Sequence, residues 1–184
     1  LLKPKFAPPT EAKMMHPVAA ARADIKTAGS GSMSWCSDDP HMLRMQEKSP
    51  QLRNVIKAAM VEMEAMQVTP LPDKVGMAAT SGNLTAVLKY LRKGGDVNAP
   101  WPQRFNRTLL HEAACSNHPA ILDTVLQHKA DPNLRSVLGT TGLMMAAHTG
   151  NVEIVKQLLK GGADPYVLTH DGLSAQRVAV RSGH

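Results

Sequence analysis

The sequence predicts an all-α solenoid of stacked helix pairs, on three observations. Apolar residues make up an ordinary 43 % of the 184 residues, yet only Phe6, Trp35, Tyr90, Trp101, Phe105 and Tyr166 are aromatic. The core must therefore be built from Leu, Val, Ile, Ala and Met, which suits packed helices better than a β-sandwich. Second, three segments align with one another without gaps, and Asp131 and Asp164 in them stand 33 residues apart. Third, apolar pairs recur in each segment at helical spacing, with small residues and helix breakers in phase.

Residues 1–48 show no sustained periodicity. They carry Pro4, Pro8, Pro9 and Pro17, the run Gly29-Ser30-Gly31-Ser32, and Asp38-Asp39-Pro40. Such a segment buries too little apolar surface to offset its ordering entropy by itself. Three readings stand open: a flexible tail, the remnant of an organellar presequence around Ala19-Ala20-Ala21-Arg22, and an extended arm ordered by a partner, which is the one adopted. Leu1 in place of Met reads as a processed, fragmentary or trimmed start.

Residues 49–72 are expected to be a capping helix and linker. Ser49 can cap the helix and Pro50 sits at its first position. Leu52, Val55, Ile56, Ala59, Met60 and Met63 then form one apolar stripe, expected to pack on the end of the repeats, and Thr69-Pro70-Leu71-Pro72 ends the helix.

Residues 73–184 contain the repeat. Ala78-Ala79, Ala113-Ala114 and Ala146-Ala147 place small side chains where adjacent helices must approach closely. Val87/Tyr90/Leu91, Leu122/Val125/Leu126 and Val155/Leu158/Leu159 give each second helix an apolar face that one unit alone cannot bury. Gly82, Asn117 and Gly150 fall between paired helices, where a positive φ is expected. Gly94 and Gly162 follow the second helices, but Lys129 takes that place in the middle unit, where a left-handed backbone would cost it about 1 kcal/mol. Asp96 and Asp131 are 35 apart, so two extra residues lie near Pro100-Trp101-Pro102.

These units resemble the ankyrin repeat. Thr108-Leu109-Leu110-His111-Glu112-Ala113 is similar to its Thr-Pro-Leu-His-x-Ala opening, and Gly150-Asn151-Val152-Glu153-Ile154-Val155-Lys156-Gln157-Leu158-Leu159 to its second helix. The resemblance implies an ankyrin-repeat solenoid of three full repeats and a C-terminal half repeat. There are departures: the opening Pro is Leu109, Gly142 and Ala175 here, its His survives only at His111, and Gln176 stands where a buried Leu is usual.

Other chemistry is set aside in favour of structure. His111, Cys115 and His118 could suggest a metal site, since His111 and Cys115 share a helix face. The resemblance instead makes His111 the structural histidine that bonds Thr108, and His118 part of a turn. A Cys115-dependent enzyme is kept only as a third hypothesis. Asn83-Leu84-Thr85 and Asn106-Arg107-Thr108 fit the glycosylation pattern but lie inside repeat elements. No phosphate loop, zinc cluster, disulfide framework or cofactor signature is read, and Cys36 and Cys115 suit a reducing compartment.

Function is expected to be non-catalytic protein–protein interaction. The leading hypothesis is a scaffold or accessory subunit of a multiprotein assembly, and the alternative is a free adaptor that holds a short peptide in its concave groove. The resemblance implies contact through hairpin tips and the concave face. The tips carry Trp101, Arg104, Phe105 and Arg107, then Arg135 and Leu138, then Tyr166, Leu168 and His170. The groove carries Met77, Glu112, Met145 and His148. Lys and Arg outnumber Asp and Glu by 21 to 15, which fits a protein partner with an acidic surface. The excess is too diffuse for nucleic acid, and no stretch approaches the roughly 18 apolar residues of a membrane span. The expected setting is intracellular, cytoplasmic or inside an organelle after presequence removal.

Overall fold

A 3.6-residue period built on Ala pairs and Leu/Val stripes gives short helices that can only become stable by stacking. The computed structural model describes residues 68–184 together with Asn54 and Val61, both helical. The expected arm over 1–48 and the apolar stripe expected over 49–67 lie outside the described residues.

The described residues form seven α-helices: α1 Asp73–Thr80, α2 Leu84–Arg92, α3 Leu109–Cys115, α4 Pro119–Gln127, α5 Gly142–Thr149, α6 Val152–Lys160 and α7 Ala175–Arg181. Helices α1, α3, α5 and α7 stack in one layer, and α2, α4 and α6 in a second. The layers meet over Leu110, Ala113, Leu122, Val125, Ala146, Ile154 and Leu158, all buried. Ala at 113 and 146 lets the first-layer helices approach, and the Leu and Val of the second layer fill the space between.

The helix ends follow local chemistry. Thr141 and Ser174 side chains accept from the backbone N–H of Met144 and Arg177 and so start α5 and α7. Asn83 and Asn151 do the same for α2 and α6. Between paired helices the backbone turns left-handed at Gly82, Asn117 and Gly150. After the second helices it does so at Gly94, Lys129 (φ 61°) and Gly162, so the strain expected at Lys129 is present.

Loops between units are tied by a ladder of asparagines. The Asp131 N–H donates to Asn98 Oδ1 at 2.9 Å, and the Asp164 N–H to Asn133 Oδ1 at 2.7 Å. Within each loop Asp96, Asp131 and Asp164 accept through Oδ1 from the N–H two residues on, at 2.9, 2.9 and 2.8 Å. In the third loop the ladder position is Tyr166.

Candidate functional site

Three of the seven residues from 101 to 107 were expected to project as an exposed contact finger with Arg104, and the structure corrects this. Trp101 is 3 % exposed, and Phe105 and Arg107 are also buried. The segment folds back on itself: the Trp101 N–H donates to the Arg107 carbonyl at 2.7 Å, and a short 3-10 turn, Pro102–Arg104, closes the loop. The indole Nε1–H donates to Asp73 Oδ1 at 2.7 Å, and the ring lies against Gly76. The physical reason is a vacancy in α1. Gly76 stands where α3 has His111 and α5 has Met144, and the Trp101 ring occupies the volume those side chains fill elsewhere. A large apolar ring leaves water wherever such a slot exists. Arg104 is half-buried, its guanidinium 5.3 Å from the centre of the Trp101 ring.

The concave face is also more closed than expected. Glu112 (0 % exposed) and Met145 (1 %) are buried, so neither lines an open groove. Glu112 Oε2 accepts from the Thr80 hydroxyl at 3.2 Å, and Oε1 lies 3.6 Å from Arg107 Nη1. This buried pair ties α1, the 101–107 loop and α3 together, and breaking one half would strand the other in a dry site. His148 was expected to line this groove. It is half-buried, with Nδ1 2.6 Å from the Ser182 hydroxyl. Burial, then the proximity of His184, holds its pKa below the ordinary imidazole value. Met77 remains exposed on this face.

The histidines named as metal candidates are occupied by structure. The Thr108 N–H donates to His111 Nδ1 at 3.1 Å, which leaves the proton on Nε2, and that N–H donates to the Thr140 carbonyl of the next unit at 3.2 Å. The ring is fully enclosed. Burial, then the Arg107 charge, pushes its pKa down to about 4. His118 Nε2 bonds the Thr80 carbonyl at 2.8 Å. Cys115 is a buried thiol on α3. No group of three His, Cys, Asp or Glu is arranged to hold a metal among the described residues.

What stays open is the tip of the last two loops. Tyr166 is 84 % exposed and Leu168 50 %, while Arg135 is exposed and Leu138 and His170 are half-buried. Arg135 is held in place: its Nη2 donates to the Leu168 carbonyl at 2.7 Å and its Nε to the Gly139 carbonyl at 3.4 Å. These bonds join two successive loops into one surface on which Tyr166, Leu168 and Arg135 lie together. The sequence-based expectations named these residues as tips and did not include the asparagine ladder. The signal for it was the recurrence of Asp96-x-Asn98 and Asp131-x-Asn133 at matching places.

Residues 110–159 match the family model of ankyrin repeats (many copies). Similar proteins include ankyrin repeat and KH domain-containing protein mask-1 of Caenorhabditis elegans, 33 % identical over 107 residues, which is 58 % of this chain and 4 % of that protein. Inactive serine/threonine-protein kinase TEX14 of Mus musculus is 32 % identical over 105 residues, 57 % of this chain and 7 % of its own length. Ankyrin repeat and SOCS box protein 3 of Homo sapiens is 33 % identical over 102 residues, 52 % of this chain and 18 % of its own. The chain thus spans a small part of each of these relatives.

Proposed function

Because the chain carries ankyrin repeats, which are protein-interaction modules and in general non-catalytic, we propose that it is a scaffold or accessory subunit that grips a partner protein through the last two loop tips. The observation that carries this reading is the exposed Tyr166 beside Leu168 and the anchored Arg135. Tyr and Arg held in fixed positions around an apolar contact are the side chains that most often dominate interfaces. An exposed arginine at the centre suits a partner with an acidic surface. The alternative of a peptide held in the concave groove has less support, since Glu112 and Met145 are closed off by Thr80, Arg107 and their neighbours. The N-terminal arm is proposed as a second contact.

The test is affinity purification with cross-linking, followed by Tyr166→Ala with Leu168→Ala. The expected outcome is that the partner recovered with the unaltered chain is lost by about tenfold or more, as for a central interface residue, while the melting temperature stays unchanged. Undiminished recovery with the double variant would remove the tips from the interface.

A further inference from the structure

We infer that the partner meets the loop tips with one side-chain carboxylate set between apolar neighbours, and that Arg135 grips this carboxylate end-on. The inference rests on the tip reading above and narrows it from an acidic surface to a single contact.

Arg135 is built into its place. It precedes a hairpin over residues 136–140, which the Ser136 N–H closes on the Thr140 carbonyl at 2.9 Å. The next loop repeats this hairpin over 169–173, where the Thr169 N–H donates to the Leu173 carbonyl at 2.9 Å. Leu168 is therefore the counterpart of Arg135. The Arg135 side chain crosses from its own hairpin to the next over Gly139. A Cβ on Gly139 would come within 2.9 Å of both Arg135 Nη2 and the His170 ring, and its φ is 74°. Glycine admits this crossing where a larger residue would block it. The site is made entirely of residues between 135 and 170, and its two loops lead directly into α5 and α7. Both of its walls thus lie within the described residues.

The hydrogen bonds fix the guanidinium without cancelling its charge. A guanidinium has five N–H donors. The Nε–H and one N–H of Nη2 are committed to the Gly139 and Leu168 carbonyls, which are neutral acceptors. No described carboxylate lies within ion-pairing distance of Arg135. The end-on edge, formed by Nη1 and the second N–H of Nη2, matches the two oxygens of a carboxylate. Leu138 on the same hairpin is half-buried and Leu168 on the next loop is 50 % exposed. They offer apolar surface to residues on either side of the acidic one, which a chain terminus would lack on one side.

The surrounding charge selects the anion. Asp131, Asp164 and Asp171 are exposed in the same two loops. They repel a doubly charged phosphate more than a singly charged carboxylate, and a run of acidic residues more than one.

The probes are acetyl-Leu-Glu-Leu-amide, its glutamine twin and its phosphoserine twin, each titrated into the isotope-labelled full chain. Binding is read as saturable movement of the Arg135 Nε–H resonance, identified by its loss in Arg135→Lys, and of the Tyr166 and Leu168 amides. The glutamate peptide is expected to bind about fivefold tighter than the glutamine twin, with the advantage shrinking as salt rises. Arg135→Lys keeps the charge but not the fork, and should remove most of that advantage at the Tyr166 and Leu168 amides. No saturable movement, equal binding of the glutamate and glutamine peptides, tighter binding of the phosphoserine twin, or a full advantage in Arg135→Lys would each overturn the inference. Equal binding of the two peptides, alongside loss of the cellular partner in the Tyr166→Ala, Leu168→Ala variant, would sink this inference and leave the tip reading standing. Undiminished partner recovery with that variant would remove both.

Discussion

Lys129 carries a φ of 61° where the other two units have Gly94 and Gly162. A Cβ in the left-handed region crowds the following carbonyl, and glycine has none. Lys129→Gly should therefore raise the unfolding free energy by about 0.5–1 kcal/mol, part of the relief being offset by glycine's greater freedom in the unfolded chain. A urea titration with unchanged m-value checks it. Gly76 is the opposite case. A Cβ there would sit 2.5 Å from the Trp101 ring, and the ring is held by its bond to Asp73. Gly76→Ala should lower stability by about 1–3 kcal/mol through overpacking, and the Trp101 fluorescence should shift toward that of a hydrated indole.

At the scale of elements, neighbouring units are joined by more than apolar contact. Asn133 accepts from the Asp164 N–H and donates through Nδ2 to the Gly162 carbonyl at 3.2 Å. Asn133→Ala removes both bonds between the second and third loops, and should cost about 1–2 kcal/mol. The same variant should raise amide exchange of the third loop first, because each unit leans on its neighbour. Hydrogen exchange of Asp164 is the direct measurement. Neighbouring asparagines 117 and 151 are paired in the same manner, Asn151 Nδ2 donating to Asn117 Oδ1. The helices themselves are seven to nine residues long, too short to persist alone, so such ties and the shared core are what define them.

For the whole molecule, His111 couples global stability to pH. Its pKa is about 4 in the folded chain against 6.5 in the unfolded one. Above pH 6.5 the ring is neutral in both states and its contribution is fully present. As pH falls through 6.5 the unfolded chain binds a proton that the folded chain refuses until about 4, so stability declines across that window. The loss should total about 3 kcal/mol. Unfolding midpoints measured from pH 7.5 to 4 should show this decline, and His111→Asn should flatten it while lowering stability at neutral pH. Because the ring bridges Thr108 and Thr140 in successive units, the transition should remain a single one as it moves. Among the described residues no helix is long and apolar enough to cross a membrane.

Periodicity along the chain was sufficient to specify the helical layers, the left-handed turns at Gly82, Asn117 and Gly150, and the family likeness, because each depends on residues a few positions apart. The strain at Lys129 was legible for the same reason, and the Thr108–His111 bond was implied by the family resemblance. Which tip residues face outward was not. Trp101 turned inward because Gly76, far from it in sequence, leaves a slot, and Glu112 closed the groove because Thr80 and Arg107 converge on it. Such choices depend on which side chain fills a given volume once the units have stacked. Only the tertiary structure sets that competition, and it also left Tyr166 and Leu168 facing outward.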